Sequence, residues 1–139
     1  MQSTLRAPAI PWKFRLLIAE SGKNEFNAWD RGLSAKARAK RDTNIRFLSE
    51  QPCERWERPT ASPLGHNSYV IRFKDENGTE HRLFGFFHTA NHVFVICFPG
   101  TERDSQYYPA DYEERLARLR GEISAKFAQR TVDCSWPIT

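Results

Sequence analysis

Apolar and polar positions alternate most clearly in three closely spaced stretches: Ser68 to Lys74 (SYVIRFK), Thr79 to His88 (TEHRLFGFFH) and His92 to Phe98 (HVFVICF). Each is rich in β-branched and aromatic residues and reads as a strand. Asp75-Glu76-Asn77-Gly78 between the first two is a strong turn signal, and Ala90-Asn91 separates the second from the third. The spacing predicts an antiparallel three-stranded meander from Asn67 to Phe98. Trp12 to Ala19 (WKFRLLIA) alternates and then runs apolar, which predicts one further strand.

The remaining periodicity is helical. After a break at Ser21-Gly22, Asn24 is placed to cap a helix with Phe26, Trp29 and Leu33 on one face. Ser34 is a second N-cap candidate, followed by Ala35 to Glu50, where Ala and charged residues favour helix and Ile45 and Leu48 are apolar anchors. Tyr112, Leu116, Leu119, Ile123 and Phe127 recur at helical steps, with Pro109 expected in the first turn. Gln51 to His66, with three prolines and a glycine, predicts a connecting loop, and Gly100 to Tyr108 a polar one. The expected fold is α+β: a small antiparallel-rich sheet made of the N-terminal strand and the meander, with an N-terminal helical hairpin and a C-terminal helix, two helices covering one face. Residues 1–11 read as an arm, 12–130 as one domain, and 131–139 as a tail that either docks or stays loose.

The turn at Asn77-Gly78 decides where two arginines point. A two-residue loop pairs Phe73 with Arg82 and puts Arg72 and Arg82 on opposite faces. A three-residue loop, Glu76-Asn77-Gly78 with Gly78 left-handed, pairs Arg72 with Arg82 and puts them on one face. Burial favours the second, because Tyr69, Ile71, Phe73, Leu83 and Phe87 then form a consistent core face. The other face carries Val70, Arg72, Lys74, Arg82, Phe84, Phe86 and His88, mixing cations with rings. Cations suit phosphates and rings suit unpaired bases. Equally, Phe84 and Phe86 are a platform for the C-terminal helix.

Composition adds limits. The 139 residues are 40% hydrophobic and 13% aromatic, as in a folded domain, and the net charge of +4 suits a polyanionic partner without requiring one. Lys36, Arg38, Lys40 and Arg41 make the second helix basic, either as a solvated face or as a phosphate-facing surface. Cys53, Cys97 and Cys134 are odd in number and widely spaced, so neither a disulfide framework nor a zinc site is expected. His66, His81, His88 and His92 show no ligand spacing, and no metal or other cofactor is expected. Met1 to Ala9 lacks the apolar core of a signal peptide and no apolar run reaches membrane-spanning length, so a cytoplasmic protein without a membrane partner is expected.

Taken in order, these motifs resemble the RelE/ParE-type toxins of bacterial type II toxin–antitoxin systems, in the HigB-like, phage-derived branch. The resemblance rests on Tyr69-Val70-Ile71-Arg72, on Arg82-Leu83-Phe84-Gly85-Phe86 after the turn, on the strand Val93 to Phe98 with its charged sequel Gly100 to Ser105, and on Tyr107 or Tyr108 before the final helix. It spans about residues 12–130. It implies a RelE-like fold and a metal-independent mRNA endoribonuclease (an mRNA interferase), commonly working on the ribosome, in which the RNA 2′-hydroxyl attacks the adjacent phosphate. Such chemistry needs a base, an acid and cations for the phosphorane.

The resemblance implies Arg82 as phosphate-binding catalytic residue and Tyr108 as acid–base residue, with Tyr107 as its rival. Arg72 supports phosphate binding or structure, and Lys74, Phe86, Tyr107, Lys36 and Lys40 complete the expected RNA surface. The family often has Lys or Arg after the last strand. Here Thr101-Glu102-Arg103-Asp104 offers only Arg103, opposed by two acids, and His88 or His92 is a substitute base. The implied partners are a cognate antitoxin, usually a helix-turn-helix protein, and mRNA with the ribosome. A ParE-like protein that binds DNA gyrase without cutting RNA, and a diverged homologue acting by protein binding, are the alternatives.

Overall fold

The meander closes as the three-residue register predicts. In a computed structural model that describes residues 10–137, β3 (Ser68–Lys74) and β4 (Glu80–His88) pair antiparallel with Ile71 opposite Leu83 and Arg72 opposite Arg82. Gly78 takes the left-handed conformation (φ +84°), where a side chain is strained. Asp75 Oδ1 accepts from the Asn77 and Thr79 backbone amides at 2.9 and 3.0 Å, and its Oδ2 lies 2.9 Å from His81 Nε2. Glu76 accepts from Ser34 Oγ at 2.8 Å, tying the turn to the helix that Ser34 caps.

Seven strands form one mixed sheet. β1 (Lys13–Leu17) lies parallel to β5 (Val93–Arg103), and every other pairing is antiparallel. The order is β2-β3-β4-β5-β1-β7, and β6 (Gln106–Tyr108) pairs on the extended end of β5. Three strands fall where loops or tail were expected. β2 (Ala61–Gly65) lies in the proline-rich connection, β6 in the polar loop, and β7 (Thr131–Asp133) in the tail. The arm expected at residues 1–11 lies outside the described residues as far as Ala9.

Helices cover both faces, not one as expected. On one side α1 (Phe26–Arg31) and α2 (Ala35–Ser49) bury Phe26, Ala37, Ile45 and Leu48 against Phe14, Leu16, Ile71, Leu83, Phe94 and Ile96. On the other, α3 (Tyr112–Ala125) lays Leu116, Leu119 and Ile123 on Val70, Phe84, Phe86, Val95, Cys97 and Phe98. Alternation along β3 and β4 supplies both sets, since successive side chains point to opposite faces. Pro109 is not in the first turn of α3. It follows a cis Tyr108-Pro109 bond, and Asp111 is the N-cap. The short α4 (Phe127–Arg130) leads into β7. The tail docks: Trp136 packs edge-on against Phe26 and under the Arg41 guanidinium, 3.9 Å from its ring centre.

One irregularity in β5 matters for the site. Phe84 pairs with Phe98 but Gly85 with Ile96, so Cys97 is an extra residue in the ladder. A bulge of one residue reverses the alternation beyond it. Val95, Cys97 and Phe98 therefore all face α3. Past the bulge Gly100 stands opposite Arg82, and Glu102, two residues on, shares the face of Arg82.

Candidate functional site

The strand pairing brings Arg72 and Arg82 side by side, and the bulge brings a carboxylate to them. Arg82 Nε and Nη2 both donate to Glu102 Oε1, at 2.9 and 2.7 Å. Nη1 donates to the His81 carbonyl at 2.8 Å, and Nη2 also reaches Glu80 Oε1 at 3.2 Å. The Arg82 side chain is 2% exposed. Arg72 Nη1 lies 3.3 Å from the same Glu102 oxygen, 3.2 Å from Ser62 Oγ and 3.4 Å from the Tyr107 hydroxyl. Burial pushes the Glu102 carboxyl upward. The Arg82 hydrogen bond and the charges of Arg82, Arg72 and Arg58 outweigh it and hold the group below the ordinary glutamate range.

These arginines form the wall of a cleft of about 490 Å³ at the edge of the sheet, lined also by Lys40, Asn44, Arg58, Thr60, Lys74 and Glu80. The cleft exists because β2 stops pairing at Arg72: Arg72 donates its backbone amide to Thr60, and its carbonyl accepts from Asn44 Nδ2 at 2.7 Å. Lys74 lies beyond the end of β2. Lys36, Lys40 and Asn44 are spaced four apart along α2 and form one stripe on it. Lys40 and Asn44 line the cleft, and Lys36 extends the stripe toward Glu76. Five cations against Glu80 and Glu102 leave the cleft positive, as an anion requires.

Four expected site residues thus converge: Arg72, Lys74, Arg82 and Lys40. Tyr107 adjoins them through Arg72. Others do not. Tyr107 pairs with Glu102 across the β5–β6 hairpin, so Tyr108 and Arg103 point to the opposite face, where the Arg103 guanidinium lies 4.6 Å from the Tyr108 ring centre. The expectation that Arg103 supplies charge beside Arg82 fails because the Cys97 bulge turns Glu102 there instead. Phe86 is 3% exposed beneath α3 and has no ring face to offer a base. His88 ends β4 six residues from Arg82, about 20 Å along a strand, hydrogen-bonded to Asn91 and packed on Phe127. His92 stacks on Trp12. Arg41 is buried between Asp30 and Asp42, so it belongs to the core and not to the basic face of α2.

Glu102, Arg58 and Asn44 were not anticipated as site residues. No signal marks Glu102: alternation carried straight through β5 places Arg103 beside Arg82, and only the bulge at Cys97 puts Glu102 there instead. Among the described residues no group of three or more His, Cys, Asp or Glu side chains is placed to hold a metal, and no helix is long and apolar enough to cross a membrane. No family model, curated protein or solved structure matches the chain.

Proposed function

We propose that the chain is the toxin of a toxin–antitoxin pair and cleaves mRNA at the Arg72/Arg82 cleft without a metal. The observation that carries this reading is the cleft itself, where Lys40, Arg58, Arg72, Lys74 and Arg82 surround a space of about 490 Å³ at a sheet edge. A phosphodiester seated there meets the exposed Lys40, Arg58 and Lys74, while the half-buried Arg72 and buried Arg82 guanidiniums, held rigid by Glu102, add the preorganised positive charge that a phosphorane needs from behind. The acid–base groups bonded to these arginines are Glu80, Tyr107 and Glu102, whose second oxygen makes none of the arginine contacts. In this scheme Glu102 takes the proton of the attacking 2′-hydroxyl. The new bond forms from the 2′-oxygen to phosphorus, the bond to the 5′-oxygen breaks, and Tyr107 protonates the leaving oxygen. The products are a 2′,3′-cyclic phosphate and a 5′-hydroxyl.

The RelE-like order of motifs supports the same reading and adds the helix-turn-helix antitoxin as partner. A second reading is a ParE-like toxin that binds DNA gyrase. It is favoured by the pairing of both arginines with Glu102, which leaves less free charge for catalysis. Mapping mRNA ends by primer extension after induction separates the two. New 5′-hydroxyl ends support the nuclease. Intact mRNA with altered plasmid supercoiling supports the gyrase reading and removes the nuclease.

A further inference from the structure

A second groove, of about 750 Å³, adjoins the phosphate cleft. Arg58 lines both. Arg72, from the wall of the cleft, donates to Ser62 and Tyr107, which line the second groove. The two spaces are therefore neighbours across Arg58 and Arg72, and a strand with its phosphate in the first would reach the second with its neighbouring nucleoside.

The lining of this groove differs from that of the cleft. Tyr107 and Tyr112 stand edge to face with centres 5.3 Å apart, both half-exposed, and both rest on the fully buried Phe84 ring, at 5.7 and 5.3 Å. Rings backed in this way are fixed, so a base stacking on them gives up little side-chain entropy from the protein. Glu57 and Glu113 supply carboxylates at the same groove, Glu57 with Arg55 at 3.5 Å. Carboxylates accept hydrogen bonds and donate none. The guanine edge, with N1–H beside the N2 amino group, presents two adjacent donors to one carboxylate. Adenine and cytosine present a donor beside an acceptor, and uracil presents one N–H between two carbonyls.

We propose that this groove is a nucleobase subsite that selects guanine next to the phosphate bound at the Arg72/Arg82 cleft, with Tyr107 and Tyr112 as the stacking platform and Glu57 and Glu113 as the readers of the base. The inference rests on the cleft being an RNA site. It adds a specificity that the cleft alone does not have, since phosphate contacts carry no sequence information.

The test uses labelled 2′-O-methyl tetranucleotides, which resist cleavage, in an otherwise all-uridine background. One position carries guanosine, uridine or an abasic residue, and affinity is read by fluorescence anisotropy. The guanosine strand is expected to bind about tenfold tighter than the other two. Tyr112→Ala should remove that advantage and leave abasic binding unchanged. The isosteric pair Glu57→Gln and Glu113→Gln, which leaves the rings in place, should reduce the guanosine-over-uridine ratio toward one. Lys74→Ala should weaken all three strands alike. Equal affinity for guanosine and uridine in the unaltered protein, or an unchanged ratio in the Gln pair, overturns the subsite while the RNA cleft stands. Absence of binding by any strand overturns both.

Discussion

Arg82 and Glu102 meet across the β4–β5 ladder at 2.7 Å, with the Arg82 side chain 2% exposed and Arg72 bound to the same carboxylate oxygen. The three groups behave as one unit. Glu102→Gln leaves two guanidiniums facing each other with one countercharge gone, and a buried charge without its partner is costly. We expect a loss of about 2–3 kcal/mol in urea unfolding. The same change frees positive charge at the cleft, so polyanion affinity should rise and its salt dependence steepen. Stability and affinity moving in opposite directions is the signature. A variant that loses neither stability nor gains affinity would mean the network carries no weight in solution.

Lys40 and Lys74 lie at the cleft but are exposed and take no part in the Glu102 network. Lys40→Ala and Lys74→Ala should each leave the unfolding midpoint nearly unchanged, within about 0.5 kcal/mol. Each should reduce the slope of log affinity against log salt for single-stranded RNA by about 0.7 if it contacts one phosphate. Anisotropy titrations at several salt concentrations measure that slope. Lys13→Ala, in the parallel strand β1, is the control and should leave it unaltered.

What was legible in the sequence follows physical lines. The meander, its three-residue turn and the Ser34 cap depend on local chemistry: left-handed Gly78, the Asp75 side chain, β-formers in alternation. β2, β6 and β7 do not. Ala61-Ser62-Pro63-Leu64-Gly65 contains two residues that disfavour strands and becomes one by pairing with β3, and the other two are three residues long. The bulge at Cys97 carries no local mark, yet it reverses everything beyond it. It therefore exchanged Glu102 for Arg103 and Tyr107 for Tyr108 at the site. Phe84 and Phe86 were readable as either platform or stacking surface, and α3 on the second face decides for platform.

The Glu102 network also sets an acid limit. Its carboxyl lies below the ordinary range despite burial, because Arg82, Arg72 and Arg58 favour the charged form. A carboxyl depressed in the folded state stabilises fully above its unfolded pKa, about 4.3 for glutamate. It loses that contribution as pH falls through the lower folded value. Urea midpoints taken between about pH 6 and about pH 3 should therefore fall on the acid side, and fall less steeply in Glu102→Gln. Parallel acid limbs in the two proteins would remove Glu102 as a source of the pH dependence.

Gly100 stands opposite Arg82, where the β5–β6 hairpin comes closest. A Cβ there would run into the Tyr108 carbonyl and meet the Phe84 ring at 2.7 Å. Backbone cannot yield as a flexible side chain does, so Gly100→Ala should cost about 2–3 kcal/mol. It should also displace the hairpin that carries Glu102 and Tyr107, so RNA affinity should fall in the protein that remains folded. Gly121→Ala, an exposed position in α3 where a Cβ meets nothing, should instead stabilise by about 0.5–1 kcal/mol. Thermal unfolding of the two variants side by side separates the close approach from a general intolerance of substitution.

Tyr107 and Tyr108 give the sharpest test of the site, because neighbours on a strand face opposite ways. The Tyr107 hydroxyl lies 3.4 Å from Arg72, whereas Tyr108 sits on the far face against Arg103. Removing a general acid costs on the order of 100-fold or more in rate. Single-turnover cleavage of a short RNA should therefore drop by about that factor in Tyr107→Phe and hold in Tyr108→Phe. Both substitutions keep the ring, so neither disturbs packing on Phe84. The reverse outcome, with Tyr108→Phe inactive and Tyr107→Phe intact, would move the chemistry to the Arg103 face and leave the Arg72/Arg82 pair as structure alone.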